Sequence, residues 1–163
     1  MDRGQIALKL FLDELGIDFD IKTIDDRKRV QKAVYLGQLS GVDLGYRFGW
    51  YIRGPYSTSL TNDYFPLAES LASEDNGWEG KTLKKSVKEK LARIKPLMEP
   101  PHGVSLRQED WLELVASLDY LRRVSRLDDE EARKILKKEK SHVFEYVEEA
   151  KQALIEADLF LVN

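Results

Sequence analysis

The 163-residue chain contains no cysteine and only two histidines. The absence of cysteine excludes disulfides, thiol nucleophiles, iron–sulfur clusters and zinc sites built from cysteine. His102 lies in a Pro-Pro segment and His142 lies near a predicted helix start, 40 positions further on. We interpret both as solvated side chains. The sequence therefore predicts no metal site and no cofactor.

The common catalytic motifs are also missing. The chain has no HExxH, no GxxxxGK[ST], no GxGxxG and no GxSxG pattern. Its acidic runs, Asp25–Asp26 and Asp128–Glu131, lie at predicted helix N-termini, where the helix dipole stabilises negative charge without any catalytic role. These absences favour a protein that is not an enzyme.

Long apolar runs are absent as well, since no stretch approaches the roughly 18 apolar residues that span a membrane. The first residues, MDRGQIALKLFLDELG, carry acids within their apolar run, which is not typical of a signal peptide. Charged residues make up 34% of the chain, but the two signs are mixed and the net charge is only −3. We expect a cytoplasmic protein that binds no membrane and is not a general nucleic-acid polyelectrolyte.

Length and periodicity predict the architecture. A chain of 163 residues that is 42% hydrophobic is long enough to form one domain, residues 1–163. Apolar residues recur at helical spacing in about seven segments, so the fold class is mainly α with a small β element (α+β) of one or two short strands. The segment EPPHG predicts a subdivision into 1–98 and 104–163, and we expect the two parts to pack together.

Several local signals predict where the helices begin and end. Side chains able to cap a first helical turn occur at Thr23, at one of Ser57, Thr58 and Ser59, at Ser105, at Asp128 and at Ser141. Ser105 with Gln108 has the spacing of a capping box. Pro66 predicts a kink or break near Phe65. Trp78 could close a second small hairpin with Thr82 and Leu83.

The segment YRFGWYIRGPYS, residues 46–57, concentrates five aromatic side chains in twelve residues. Apolar residues alternate there with arginine, glycine and tyrosine, which predicts a half-buried strand. The apolar face consists of Tyr46, Phe48, Trp50 and Ile52. We expect Gly54–Pro55 to end this strand, because proline cannot donate a hydrogen bond to a ladder.

Residues 26–65 resemble the SocA-like antitoxin domain, also called the Panacea domain, and its YwgA-type relatives. That pattern places R-x-x-x-Q-K-x-x-Y-L before a strand that ends in aromatic-x-x-x-GPYS, followed by an L-x-x-D helix. The matching residues here are Arg27, Gln31, Lys32, Tyr35, Leu36, Tyr51, Gly54, Pro55, Tyr56, Ser57, Leu60 and Asp63. The resemblance covers about forty residues.

The resemblance implies a bacterial or phage antitoxin that neutralises a protein toxin by direct binding. Candidate partner-binding residues are Arg47, Tyr51, Arg53, Tyr56, Arg27 and Lys32, because tyrosine and arginine are enriched in binding hot spots. Residues of the motif expected to have structural roles are Gln31, Tyr35, Gly54, Pro55, Ser57 and Asp63. In the purely structural alternative, Tyr56 fastens the following helix and Arg53 pairs with a carboxylate such as Asp63. Arg27 and Lys32 then form a solvated helix face.

Three other interpretations remain open. Basic clusters at 79–98 and 122–140 could form a nucleic-acid-binding surface, as in a winged-helix regulator, or a solvated face. The chain could also be a phage or mobile-element protein of unassigned role. A deep pocket that collected Tyr35, Arg53, Tyr56 and Asp63 around a perturbed carboxylate would favour an enzyme instead.

Overall fold

The computed structural model describes residues 1–160, which form seven α-helices, two short 3-10 helices and one two-stranded antiparallel sheet. The helices are α1 (Arg3–Glu14), α2 (Ile24–Gln38), α3 (Thr58–Ala72), α4 (Lys85–Ile94), α5 (Gln108–Arg123), α6 (Asp129–Glu139) and α7 (Val147–Glu156). The strands are β1 (Gly49–Tyr51) and β2 (Gly54–Tyr56), and the 3-10 helices are Lys95–Met98 and Phe144–Tyr146. The predicted fold class, mainly α with a small β element, is confirmed.

Helix α5 forms the centre of the molecule. Every residue from Trp111 to Leu121 is buried, which is expected of a helix that other elements cover on all sides. It packs against α2, α6, α7 and strand β2. The segments before and after the Pro-Pro break therefore share one hydrophobic core. No helix within residues 1–160 combines the length and the apolar character needed to cross a membrane.

Three predicted helix caps are confirmed. Thr23 accepts a hydrogen bond from the Asp26 amide while the Asp26 side chain accepts one from the Thr23 amide, which completes a capping box. Asp128 caps α6 in the same way. Among the three candidates before α3, Ser57 is the cap, and its hydroxyl oxygen lies 3.2 Å from the Leu60 amide nitrogen.

Two predicted helix starts are wrong. Helix α5 begins at Gln108 without a side-chain cap, so Ser105 forms no capping box. Gln108 instead donates its side-chain amide to the Met98 carbonyl and the Glu99 carboxylate, which ties α5 to the preceding 3-10 helix. The last α-helix begins at Val147 rather than at Ser141, because the carbonyl of the buried Lys140 accepts two backbone bonds that form a separate turn.

The predicted break in the third helix is also wrong, since α3 continues through Pro66. Pro66 has no amide hydrogen to donate to the carbonyl of Asn62, four residues earlier. Both residues are exposed, so the Asn62 carbonyl can face water. The second hairpin near Trp78 does not form: residues 77–80 are a turn, and Thr82 and Leu83 lie outside any strand. The Trp78 indole packs instead under the Lys9 amine, which lies 4.4 Å from the ring centroid.

The aromatic segment forms a hairpin rather than one strand. Strands β1 and β2 pair Gly49 with Tyr56 and Tyr51 with Gly54, so Gly54–Pro55 belongs to the second strand and does not end the first. Gly54 has φ +87°, a conformation that favours glycine, and an added Cβ would lie 2.5 Å from the Ser117 hydroxyl oxygen. A two-stranded sheet consists of edge strands, where proline is tolerated.

The predicted apolar face of this segment is correct for three of its four members. Tyr46 is buried, and Phe48 and Trp50 pack partly buried against the core. Ile52 is 89% exposed, because it lies in the two-residue turn between the strands instead of continuing the strand.

Candidate functional site

An open pocket of about 330 Å³ lies between helix α2, the hairpin and helix α3. Five of the six predicted partner-binding residues line it: Arg27, Lys32, Tyr51, Arg53 and Tyr56. Its volume is at the lower end of the range for ligand sites, so it suits a small group or a side chain. The pocket brings the basic residues of α2 next to the exposed tip of the hairpin.

Arg47, the sixth predicted residue, lies elsewhere. Its side chain is exposed and its Nη1 is 3.6 Å from a carboxylate oxygen of Asp43. It lines a separate pocket together with Tyr35 and Tyr46. The structure therefore does not place Arg47 with the other five residues.

Two neighbouring residues of α2 hold the hairpin in place. The Gln31 side chain donates to the Ser57 carbonyl at 3.0 Å and accepts from the Ser57 amide at 2.8 Å. The Lys32 amine donates to the Pro55 carbonyl at 2.5 Å. The Gln-Lys and Pro-Tyr-Ser parts of the motif thus form one hydrogen-bonded unit, with both backbone groups of Ser57 satisfied inside the protein.

Two other motif residues lie away from the pocket. The Tyr35 hydroxyl donates to the buried Asp119 carboxylate at 2.7 Å, and burial raises the pKa of Tyr35. Asp63 accepts a hydrogen bond from the Tyr46 hydroxyl at 2.8 Å. The pocket therefore contains Arg53 and Tyr56 but neither Tyr35 nor Asp63, and the set considered for catalysis is not assembled in it.

The hairpin tip presents one anchored aromatic pair and one unpaired arginine. The Tyr56 and Thr61 hydroxyl oxygens are 2.5 Å apart, which fastens the hairpin to α3 as the structural alternative expected. Tyr51 packs edge-on against Tyr56 with ring centroids 5.2 Å apart. Arg53 forms no hydrogen bond and no ion pair with any residue in 1–160, so the expected Arg53–Asp63 pair is absent.

Lys32 and Arg27 differ sharply in exposure. Lys32 is only 1% exposed, so it does not belong to a solvated helix face. Burial lowers the pKa of Lys32 to about 7, because the interior disfavours the charged amine. Arg27 is partly exposed, and its guanidinium donates to the carbonyls of Ile21 and Lys22. These bonds fix the Arg27 side chain at the pocket wall.

Comparisons with models of protein families, with curated proteins and with solved structures found no match.

Beside the pocket lies a buried ionic cluster that the sequence analysis missed. The Glu113 carboxylate, 2% exposed, accepts hydrogen bonds from Lys28 at 2.9 Å and from Lys140 at 3.0 Å. His142 lies 3.2 Å from the same carboxylate, and its side chain is 54% exposed, as predicted. The signal in the sequence was a lone glutamate inside an otherwise apolar helical stretch, WLELVASL.

The carboxylates and the histidine of this cluster approach metal-site geometry. Ligand atoms of Asp110, Glu113 and His142 all lie within 4.8 Å of one another. The Lys28 ammonium, however, lies 2.8 Å from Asp110 and 2.9 Å from Glu113. Lys140 also pairs with Glu113 at 3.0 Å, and Arg107 pairs with Asp110 at 3.1 Å. Because these three cations together neutralise both carboxylates, the cluster is best described as an ion-pair network that supports α2 against α5.

The wall of the pocket contains cationic side chains, hydroxyl donors and apolar groups that a ligand could contact. Four basic residues line it, and no aspartate or glutamate occurs among the described residues of its wall. Such a wall suits recognition of a negatively charged group attached to an apolar one.

Proposed function

We propose that this protein is a small cytoplasmic binding protein of antitoxin type, which neutralises a partner toxin by direct contact. The observation that carries the proposal is the pocket, because it collects five residues that the sequence had suggested for partner binding. The resemblance of residues 26–65 to the SocA-like, or Panacea, antitoxin domain supplies the type of partner, a protein encoded nearby. On this proposal the protein performs no catalysis.

The geometry of the hairpin supports a role in protein recognition. Tyr51 and Arg53 are exposed at its tip, and both residue types are enriched in hot spots. The bonds from Gln31 to Ser57 and from Lys32 to Pro55 hold the hairpin before any partner arrives. A rigid binding surface loses less conformational entropy on association than a flexible loop does.

Co-expression with the product of the adjacent gene tests this proposal. We expect the neighbour to be toxic alone and harmless together with this protein, and we expect the two proteins to co-purify. Arg53→Ala and Tyr56→Ala should lose the rescue of growth, because the first removes an unpaired arginine and the second an aromatic wall of the pocket. Circular dichroism should show that both variants remain folded.

Arg126→Ala is the matched control. Arg126 is exposed and, within residues 1–160, has no hydrogen-bond or ion-pair partner, yet it does not line the pocket. This variant should rescue growth as well as the natural protein does. A neighbour that is harmless alone and never co-purifies would contradict the proposal.

A second candidate, a nucleic-acid-binding regulator, is favoured by one surface. A group of exposed basic side chains lies on and around α4, and none of them has an ion-pair partner among the described residues. They are Lys81, Lys84, Lys85, Lys88, Lys90, Arg93 and Lys95. If they contact phosphates, duplex DNA should shift in a gel at low salt, and the logarithm of the affinity should fall by about 0.9 per contact for each logarithmic unit of salt. No shift at low salt would eliminate this candidate.

A further inference from the structure

The pocket carries positive charge that the protein itself does not neutralise. Of its four basic residues, only Lys28 is paired with carboxylates, those of Asp110 and Glu113. Arg27 donates to backbone carbonyls, which bear no net charge. Lys32 also donates to a backbone carbonyl, but burial lowers its pKa to about 7, so it carries only part of a charge at neutral pH. Arg53 has no partner within residues 1–160. This concentration of cations occurs on a chain whose net charge is −3, so it is not a consequence of overall composition.

Exposed apolar side chains surround the same pocket. Ile24 is 54% exposed, Tyr51 is 51% exposed and Ile52 is 89% exposed, and all three line the pocket. Phe65, another exposed aromatic residue, lies beside it with its ring centroid 5.8 Å from the Arg27 guanidinium carbon. Clustered exposed apolar residues of this kind mark surfaces that other molecules cover.

We propose that this pocket binds a carboxylate that a partner protein presents beside an apolar side chain. The inference rests on the proposed function, since it specifies what part of a protein partner would enter the pocket. Arginine has a planar fork of donors that matches the two oxygens of a carboxylate. Arg27 is already positioned by its bonds to Ile21 and Lys22, and Arg53 is free to complete the contact. Ile24 and Ile52 would cover the neighbouring apolar side chain.

A phosphate of a nucleic acid fits this surface less well. Interfaces with nucleic acids are more polar and more positively charged than those between proteins. Here two isoleucines and a tyrosine form the exposed rim, and a sugar–phosphate backbone would leave these side chains without apolar contact. The chemistry of the rim therefore favours a polypeptide.

Four small probes test the inference in nuclear magnetic resonance titrations of the full chain. Acetyl-phenylalanine carries a terminal carboxylate, acetyl-Phe-Glu-amide carries a side-chain carboxylate, acetyl-phenylalaninamide is neutral, and inorganic phosphate lacks an apolar part. We expect saturable shifts at residues 24–32 and 51–56 with at least one carboxylate probe. That probe should bind at least about tenfold more tightly than the neutral amide, the size of effect that a charge-assisted hydrogen bond produces. The carboxylate probe that binds more tightly identifies the source as a chain terminus or an acidic side chain.

Arg53→Gln should weaken the binding of the carboxylate probe at least about tenfold, and Arg126→Gln should leave the affinity of the probe unchanged. Equal binding of the neutral amide, tighter binding of phosphate, shifts confined to other residues, or no saturable shift would each overturn the inference. The outcome is separate from that of the antitoxin proposal. Rescue that depends on Arg53 without binding of any carboxylate probe would overturn only the inference, and binding of a probe with a harmless neighbour would overturn only the antitoxin proposal.

Discussion

Replacing Glu113 by glutamine should lower the free energy of unfolding by about 3–5 kcal/mol, the usual cost of breaking a buried ion pair from one side. The substitution keeps the shape of the side chain but removes the charge that Lys28 and Lys140 share. Both lysines are buried, so neither can turn to water without disturbing the core. For a chain of this length the melting temperature should fall by about 6–20 °C. Chemical and thermal denaturation measure both quantities.

Glu130→Gln is the control for this substitution. Glu130 is 80% exposed in its side chain and pairs with Lys134 at 3.6 Å, so its loss should change stability by at most about 0.5 kcal/mol. If Glu113→Gln cost no more than Glu130→Gln, the buried cluster would contribute nothing to stability.

Acidification should remove the contribution of the same cluster to stability. Burial would raise the pKa of Glu113, but the ammonium groups of Lys28 and Lys140 hold it below its ordinary value of 4.5. A depressed carboxyl pKa contributes stability that is fully present above the unfolded value. That contribution is lost as the pH falls through the lower value of the folded state.

Replacing Lys32 by methionine should change stability in a way that depends on pH. The pKa of Lys32 is about 7 in the folded protein and 10.5 in the unfolded chain, so between these values the unfolded state binds the extra proton. The contribution of Lys32 to the free energy of unfolding therefore rises with pH in this window and is lowest below pH 7. From pH 6 to pH 9 the natural protein should gain about 3 kcal/mol relative to Lys32→Met.

The measurement is urea denaturation of both proteins at pH 6 and pH 9. Charged groups around the amine come from several elements: Lys28 on α2, Glu113 on α5, Lys140 after α6 and Arg53 in the hairpin. All four are present in both proteins, so their own titration largely cancels in the difference. Lys137→Met, at an exposed position of α6, should show no such change with pH. A stability difference for Lys32→Met that stays constant between the two pH values would show that Lys32 does not carry a depressed pKa.

Local patterns were sufficient to predict much of the fold. The caps at Thr23 and Asp128 follow from bonds made within four residues, and the structure contains both. The predictions failed where hydrogen bonds to residues further away in the chain decide where a helix begins. Ser105 lacks a capping role because Gln108 bonds to Met98 and Glu99. After the buried Lys140, residues 141–143 form a turn and Phe144–Tyr146 a 3-10 helix before α7 begins.

Most residues of the candidate site could be predicted from the sequence, but their burial and their contacts could not. The motif contains Arg27, Lys32, Tyr51 and Tyr56, residue type added Arg53, and these five line one pocket. Nothing in the sequence distinguished Lys32, which is buried, from Arg27, which is partly exposed, because both lie in one basic stretch of α2. Arg47 was grouped with the others because it is an arginine off the predicted apolar face of the same segment, but it lines a different pocket.

We propose that a toxin partner binds at the pocket between α2 and the hairpin. Isothermal titration calorimetry of the purified product of the adjacent gene against this protein, Arg53→Ala and Arg126→Ala tests it most directly. If Arg53 is a hot spot, its variant should bind at least about 30-fold more weakly, and Arg126→Ala should bind as the natural protein does. Equal affinity for all three proteins would place the interface elsewhere and contradict the claim.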